Sequence, residues 1–321
     1  PCQFFAAFND NFLKTALDFL ILFRSDATDG EALITLAGAT FIAPFFFLSA
    51  LGGQLADRFD KSRVAQRLKF IEIFVAALAV AGYMRASLPI LFAALFGFGV
   101  LGSLFGPVKY GILPDHLRPK ELPAGNALVE GATFIAILTG TIVGGLASRA
   151  GDALAFSVLV MAFALACWGS ALLIPPTGAG APHLKINANV AASTAALIRY
   201  LRADARLWWG AMVTSWFWLV GIVVLSLLPP LIKSLIGGDE NTVTAYLALF
   251  SIAVGVGSWL AAAIARGRIV LKTTLVGAVL LGLFAADLGL AVMGAHAASA
   301  PQGPAAVFAS KLGLRAALDL A

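Results

Sequence analysis

The sequence predicts an all-α membrane protein, because it is far more apolar than a water-soluble domain of its size. Of its 321 residues, 60% are hydrophobic and only 12% are charged, and the mean hydropathy is +0.92. A soluble domain carries about twice that charged fraction. The apolar runs are about 20 residues long and do not alternate with polar residues, so they indicate spanning helices and exclude the strands of an outer-membrane barrel.

Nine long apolar runs and the start of a tenth follow one another along the chain. We predict helices over residues 4–23, 33–56, 64–84, 88–113, 124–148, 154–174, 207–236, 243–265 and 271–293, with a tenth from residue 305. Pro107 and Pro114 are expected to break the fourth helix near its end. Pro229 and Pro230 are expected to kink or end the seventh.

A polar stretch in the middle of the chain predicts two halves. We expect an N-terminal six-helix half at 1–176, a cytoplasmic linker with an amphipathic helix at 177–206, and a partial C-terminal half at 207–321. The chain opens at Pro1 almost inside a helix and ends in an apolar run. We therefore expect a fragment that lacks a few residues in front and at least two helices behind.

Basic residues predict the orientation in the membrane. They gather in the loops after the even-numbered helices: Arg58, Lys61, Arg63, Arg67, Arg118, Lys120, Lys185, Arg199, Arg202, Arg206, Arg266, Arg268 and Lys272. By the positive-inside rule, these loops and the N-terminus face the cytoplasm. The same distribution explains the net charge of +5 without a nucleic-acid partner.

The first predicted helix carries five polar residues in an otherwise apolar span: Asn9, Asp10, Asn11, Lys14 and Asp18. Because residues four apart stack on one helix face, Asp10, Lys14 and Asp18 form a single stripe. Ionisable groups at membrane depth usually line a functional path, although simple mutual neutralisation of Asp10 and Lys14 is the alternative. The stripe predicts a polar substrate that passes beside it.

Several other sequence patterns do not indicate a catalytic or ligand-binding site. Residues 97–102 match G-x-G-x-x-G, but they lie inside a helix, where small residues favour close helix packing over dinucleotide binding. The same packing is expected at 140–144. Cys2 and Cys167 have no metal or redox spacing, and the three histidines are far apart. The sequence therefore predicts no catalytic residues, no metal and no cofactor.

The turn after the second helix, from Gly53 to Arg63, is more specific. Asp57 is expected to cap a neighbouring helix start, and Arg58 to sit at the headgroup boundary. Such a turn can hold one state of a rocking bundle closed, or it can be a purely topological basic loop. It resembles the G-x-x-x-D-R-x-G-R-R signature of the major facilitator superfamily, with Asp60 in place of the second glycine.

Four further segments resemble the bacterial lysophospholipid transporter family, a branch of that superfamily: Phe8–Ala16, Gly106–Pro114, Gly125–Glu130 and Ser215–Trp218. The resemblance implies a fold of two six-helix halves, of which the second is truncated here and about 10 of 12 helices are present. It also implies a monomeric flippase of the bacterial cytoplasmic membrane. Lysophosphatidylethanolamine would move from the outer to the inner leaflet by alternating access.

The resemblance also implies partners besides the lysophospholipid substrate and the membrane lipids. In that family, the transported lipid is re-acylated by an acyltransferase/acyl-carrier-protein synthetase, which is fused to the transporter or separate. One departure concerns antiporters: Thr141 stands where their G-P-x-x-G-G pattern has proline, which argues against drug–proton exchange. A proton-coupled exporter of drugs or small solutes, and a transport-inactive platform for a fused acyltransferase, are the alternative functions.

The candidate site residues fall into two groups. The substrate-binding candidates are Asn9, Asp10, Asn11, Lys14, Asp18, Asn126 and Glu130. The gating candidates are Asp57, Arg58, Lys109, Tyr110 and Glu130. Asp10 can attract an ammonium group and Lys14 a phosphate. A Lys109–Glu130 pair can either close the inner vestibule or tie two helices together permanently.

Overall fold

The computed structural model describes most of the chain, namely residues 1–24, 30–150, 153–266, 271–293 and 301–320. The predicted polar loop at 25–29 and the turn residues 267–268 lie outside these ranges. The described helices are α1 (Cys2–Arg24), α2 (Gly30–Arg58), α3 (Lys61–Met84), α4 (Leu88–Gly111), α5 (Leu113–His116), α6 (Leu122–Ala150), α7 (Ala153–Leu172), α8 (Val190–Ala203), α9 (Ala205–Pro230), α10 (Glu240–Ala265), α11 (Leu271–Val292), α12 (Pro304–Ala309) and α13 (Lys311–Leu320).

The prediction of an all-α membrane protein is confirmed. Within the described ranges, six helices are long and apolar enough to cross a membrane: Ala32–Arg58, Leu88–His116, Leu122–Ala147, Ala153–Leu172, Asn241–Ala265 and Thr274–Val292. Helices α1 and α3 are not among them, because charged residues interrupt their apolar runs. Those two helices carry Asp10, Lys14, Asp18, Lys69 and Glu72, which are described below.

Pro107 does not break the fourth helix, so that part of the prediction is wrong. Helix α4 continues through Pro107 to Gly111, and α5 follows with Pro114 in its first turn. Proline deprives the carbonyl of Ser103 of its helical donor, and this carbonyl faces Gly52 of α2. Packing of α4 between α2 and α3 keeps the helix continuous, as neighbouring helices commonly do inside membranes.

The chain forms two compact units, Pro1–Tyr200 and Leu201–Ala321. In the first unit α1 lies at the centre and packs against α6, α7 and α4. Its Phe12 is fully buried and stacks on Phe156 of α7 with 5.3 Å between ring centroids. Phe8 stacks on Phe163 in the same way, at 3.7 Å. These aromatic side chains form the core between α1 and α7.

Glycine lets the helices of the first unit approach closely, as the sequence predicted. A Cβ on Gly140 of α6 would lie 2.5 Å from the Phe8 carbonyl oxygen of α1. A Cβ on Gly144 would lie 2.7 Å from the Phe12 carbonyl oxygen one turn later. Gly99 of α4 meets the Phe41 carbonyl of α2 equally closely. At these glycines the backbone of one helix packs directly on the backbone of the next. The two contacts at Gly140 and Gly144 hold α1 against α6.

The second unit has its own small core. Helix α9 ends at Pro230 and continues as a π-helical segment, Leu231–Ile236. Tyr246 of α10 is fully buried, and its hydroxyl donates to the Gly313 carbonyl at 2.6 Å. The Arg315 guanidinium pairs with the Asp287 carboxylate, which joins α13 to α11. The two prolines thus mark a change of helix type.

Candidate charged site on the first six helices

The polar residues of α1 divide between the protein core and a more open face. Asn9 is fully buried, and its Nδ2 donates to the Val160 carbonyl of α7 at 3.0 Å. Asp10, Lys14 and Asp18 are partly exposed, as is Asn11. The stripe therefore exists as predicted, whereas Asn9 serves as a tie between α1 and α7 in this state.

The charges of the stripe do not pair with one another. In the part of the chain that the structure describes, no ion pair or hydrogen bond joins Asp10 to Lys14. Lys14 acts on Asp18 only through its field. The Asp18 Oδ1 atom is buried without a hydrogen-bond partner among the described residues. Mutual neutralisation by direct contact, the alternative for this stripe, is not what the structure contains.

Helix α3 contributes two charged residues that the sequence reasoning missed. The Lys69 ammonium binds Glu72 Oε2 at 2.5 Å, and the two side chains are only 1% and 2% exposed. Lys69 Nζ also lies 4.2 Å from the centroid of the Phe105 ring of α4, a cation–π contact. The signal was present in the sequence. Two ionisable residues three apart in an apolar helix obey the rule that singled out the stripe on α1.

Three helices bring these charges together. Asp10 of α1 interacts electrostatically with Glu72, Lys69 and Lys109, which belong to α3 and α4. We refer to Asp10, Lys69, Glu72 and Lys109 as the charged cluster. Lys69 and Glu72 of α3 are buried. Asp10 of α1 and Lys109 of α4 are partly exposed. Each of these two layers thus contains one acidic and one basic group. Such a cluster can attract the two opposite charges of a zwitterion.

The predicted Lys109–Glu130 ion pair is not formed. Instead, the Tyr110 hydroxyl donates a hydrogen bond to Glu130 Oε1 of α6. Lys109 Nζ lies over the Tyr110 ring, 4.7 Å from its centroid. Adjacent residues on a helix point in directions about 100° apart, so only one of the two can face α6. Asn126, one turn before Glu130, is exposed and contributes no described contact to this group.

Tyr110 and Glu130 are half-buried polar residues that join α4 to α6. Glu130 Oε2 is buried and has no hydrogen-bond partner among the described residues. One turn further along α6, Thr133 accepts a hydrogen bond from Gln3 Nε2 of α1 at 3.0 Å. A buried carboxylate oxygen without a hydrogen-bond partner costs free energy. Glu130 Oε2 can therefore accept a hydrogen bond from a further donor.

The turn between α2 and α3 places its carboxylates differently from the prediction. Asp60, not Asp57, caps the start of α3, and its Oδ1 accepts from the backbone N–H of Ser62 at 2.9 Å. Among the described residues, the Asp57 side chain accepts no hydrogen bond from the start of a helix, and Asp60 is the residue that directly precedes α3. The Asp57 side chain is exposed. Arg58 lies 5.3 Å from the centroid of the Phe59 ring.

The linker is bound to this turn. Asp60 Oδ2 accepts a hydrogen bond from the Gly178 N–H at 3.1 Å, and the Asp57 carbonyl accepts one from the Ala181 N–H at 2.7 Å. The Asn187 N–H donates to Gln54 Oε1 at 2.7 Å. Residues 178–187 of the predicted linker are therefore held against the end of α2 and the start of α3.

The carboxyl of Asp60 is strongly stabilised in its ionised form. Burial by itself would raise the pKa of Asp60. The hydrogen bonds that it accepts outweigh burial and hold that pKa well below the usual range; the donors are the Ser62 hydroxyl and the backbone N–H groups of Gly178, Arg63 and Thr177. Lys61 also forms an ion pair with Asp115 at 2.8 Å, which joins the turn to α5.

The two cysteines meet at one end of α1. Cys2 Sγ and Cys167 Sγ are 3.7 Å apart, both side chains are buried, and both are free thiols. Sequence spacing gave no sign of this contact, because 165 residues separate the two positions. Within the described ranges, no three histidine, cysteine or acidic side chains lie close enough together to hold a metal ion.

Comparisons with known proteins agree with this architecture. The family model described as Major Facilitator Superfamily matches residues 1–314. A lysophospholipid transporter from Pectobacterium carotovorum subsp. carotovorum is 30% identical over 264 residues, which are 81% of this chain and 62% of that protein. One from Photorhabdus laumondii subsp. laumondii is 31% identical over 279 residues, 84% of this chain and 65% of that protein. The chain thus spans just under two thirds of the length of these two relatives.

Proposed function

Because the chain belongs to the major facilitator superfamily, we propose that it carries lysophospholipids across the bacterial cytoplasmic membrane. Its substrate is a zwitterionic lysophospholipid such as lysophosphatidylethanolamine, which moves from the outer to the inner leaflet. The observation that carries this proposal is the charged cluster, in which Asp10 and Lys109 are partly exposed and opposite in charge. Relatives named as lysophospholipid transporters support the same substrate class.

Within this proposal, different charged residues bind the two charged groups of the lipid head group. Asp10 receives the ammonium group, and Lys109 and Lys14 receive the phosphate. Asn11 and Asn126 add neutral hydrogen bonds, and Asp18 lies two turns further along the stripe, where it meets the head group first. Transport by alternating access needs no covalent chemistry, only a difference in affinity between two states.

Gating is proposed for two places on the cytoplasmic side. The hydrogen bond between Tyr110 and Glu130 holds α4 against α6 in one state and opens in the other. The turn that carries Asp57 and Arg58 is the second place, since a rocking bundle must separate or close there. The basic loops orient this side, and the N-terminus, toward the cytoplasm.

The wider organisation is part of the same proposal. The N-terminal half comprises 1–176, the cytoplasmic linker 177–206, and the partial C-terminal half 207–321. The carrier works as a monomer, and an acyltransferase/acyl-carrier-protein synthetase, fused or separate, consumes the delivered lipid. Removal of the product keeps inward transfer favourable.

Transfer of labelled lysophosphatidylethanolamine into spheroplasts tests the proposal. The wild-type protein should raise the rate of transfer, and Asp10→Asn should reduce it sharply at equal amounts of folded protein. Transfer that is unchanged by Asp10→Asn removes Asp10 from the mechanism. Proton-dependent export of other solutes, with no lysolipid transfer, favours an exporter instead. Support of acylation without transfer favours a membrane platform.

A further inference from the structure

A groove of about 450 Å³ lies at the surface of the first unit, between α3 and α7. It is lined by Gln66, Arg67, Phe70, Ile71 and Trp168. The ring centroids of Phe70 and Trp168 are 5.6 Å apart, so the two helices are in contact there. The side chains of Phe70 and Ile71 are exposed. None of the residues of the charged cluster lines this groove.

Along α3, the side of the groove changes from basic to apolar. Arg63 and Arg67, four residues apart, are exposed neighbours on one helix face. Phe70, Ile71 and Phe74 follow on that face within the next two turns, and all three are exposed. A phospholipid has the same order of groups, from a charged head group to an apolar chain. This face of α3 therefore matches the boundary between the head groups and the acyl chains of a bilayer.

The basic end of the groove is its cytoplasmic end in the proposed orientation. Helix α3 begins at Lys61, whose N–H donates to Thr177 Oγ1 at 3.0 Å, so the chain just after α7 lies on the same side. Helix α7 is apolar enough to span a membrane, and it ends at Leu172, one turn beyond Trp168. Trp168 therefore lies near the membrane interface, where tryptophan is enriched.

The two guanidinium groups at this end have no acidic partner in the part of the chain that the structure describes. No described carboxylate forms an ion pair or a hydrogen bond with the side chain of Arg63 or Arg67. A guanidinium can bind a phosphate through two parallel hydrogen bonds. Basic pockets between helices on the cytoplasmic side of a membrane attract anionic lipid head groups. The charge at this end of the groove is therefore complementary to that of an anionic phospholipid.

We propose that the groove binds one anionic phospholipid of the phosphatidylglycerol class from the cytoplasmic leaflet. Its phosphate binds Arg67 and Arg63, and one acyl chain lies along Phe70 and Ile71 beside Trp168. The ligand is a resident lipid of the bilayer, and it differs in charge from the zwitterionic lipid that we propose as the transported substrate. Binding at this groove is independent of transport, so it goes beyond the proposed function.

Quenching of Trp168 fluorescence by brominated lipids tests this site. The full-length protein is reconstituted in phosphatidylcholine bilayers in which brominated phosphatidylglycerol or brominated phosphatidylethanolamine replaces a rising fraction of the lipid. The difference between the wild type and Trp168→Phe isolates the signal of Trp168. Half-maximal quenching should need at least about fivefold less phosphatidylglycerol than phosphatidylethanolamine, the factor expected for one basic residue beside an anionic head group. Equal fractions of the two lipids would indicate an ordinary boundary lipid and overturn the proposal.

Arginine variants, each measured with and without Trp168→Phe, test the source of the preference. Arg67→Gln should raise the required fraction of phosphatidylglycerol about fivefold and leave that of phosphatidylethanolamine unchanged, because only the anionic head group loses a partner. Arg63→Gln should act in the same direction, and it decides the question if Arg67→Gln does not fold. No change in either variant would contradict the proposal.

Arg85→Gln is the matched control. Arg85 is an exposed arginine at the other end of α3, where it follows the last helical residue. Its loss should change neither fraction, because it lies far from the groove along the helix. An equal effect of Arg67→Gln and Arg85→Gln would mean that the total charge of the protein attracts the anionic lipid, and the groove would then not be a specific site.

Discussion

The carboxylate of Asp60 binds the backbone of Gly178, which lies 118 residues further along the chain. Asp60 occupies the position where the superfamily pattern has glycine, and glycine has no side chain to make this contact. The same carboxylate caps α3. One substitution relative to the pattern therefore fastens the start of the linker to the turn between the second and third helices.

Asp60→Gly should release this part of the linker. The Gly178 N–H would lose a hydrogen bond to a charged acceptor, so its hydrogen exchange should accelerate at least about tenfold. The amide of Ala181 should follow, because its acceptor lies in the same turn. Mass spectrometry of peptides that cover residues 177–182 measures both changes.

Asp204→Ala is the control for the loss of the helix cap. Asp204 caps α9 through the Arg206 N–H at 2.8 Å, and it makes no described contact with residues 177–182. It should leave exchange in the linker peptide unchanged. Equal acceleration in both variants would mean that general destabilisation, and not the Asp60–Gly178 contact, exposes the linker.

The linker contact should be insensitive to mild acid. The pKa of Asp60 in the folded protein lies below that of an unfolded aspartate, about 3.9. The stabilisation from this carboxylate is therefore fully present above the unfolded value and is lost only as pH falls through the lower folded value. The protection factor of the Gly178 amide should be the same at pH 7.5 and at about pH 5. A clear fall between these two pH values would contradict the contact.

Tyr110→Phe should destabilise the first six helices. It removes the donor to Glu130 Oε1 and leaves a partly buried carboxylate with no hydrogen-bond partner among the described residues, at a cost of about 1–3 kcal/mol. Thermal unfolding of the purified protein in detergent measures the change. Tyr200→Phe, on an exposed tyrosine of α8, is the matched control. Tyr110→Phe/Glu130→Leu should recover most of the loss; if it does not, packing of the phenol ring matters more than the hydrogen bond.

Gly140→Ala should loosen the contact between α1 and α6. The new Cβ would lie 2.5 Å from the Phe8 carbonyl oxygen, so backbone must move, at a cost of about 1–3 kcal/mol. Gly169→Ala, on α7 with nothing within 4 Å, should be neutral or slightly stabilising, since alanine favours helix. Melting temperatures compare the two. Equal stability of both variants would show that α1 can shift away from α6 without penalty.

Sequence by itself determined the class of this protein and most of its helices. Apolar runs of spanning length need no partner to be recognised, because the bilayer imposes that length on every helix. The resemblance of Phe8–Ala16 and Gly106–Pro114 to the lysophospholipid transporter family was confirmed by the match to the superfamily model and by the relatives with that name. The glycine patterns at 97–102 and 140–144 were confirmed as close packing, since a missing side chain acts wherever a neighbouring backbone lies.

Only the tertiary structure decided which charges face one another. Sequence spacing places residues on one face of one helix, so it found the stripe of Asp10, Lys14 and Asp18. It carries no information on the rotation of one helix against the next, and so it paired Lys109 with Glu130 where Tyr110 makes the contact. For the same reason it did not predict that Lys69 and Glu72 act electrostatically on Asp10. An ion pair depends on a few ångströms between helices, and packing sets that distance.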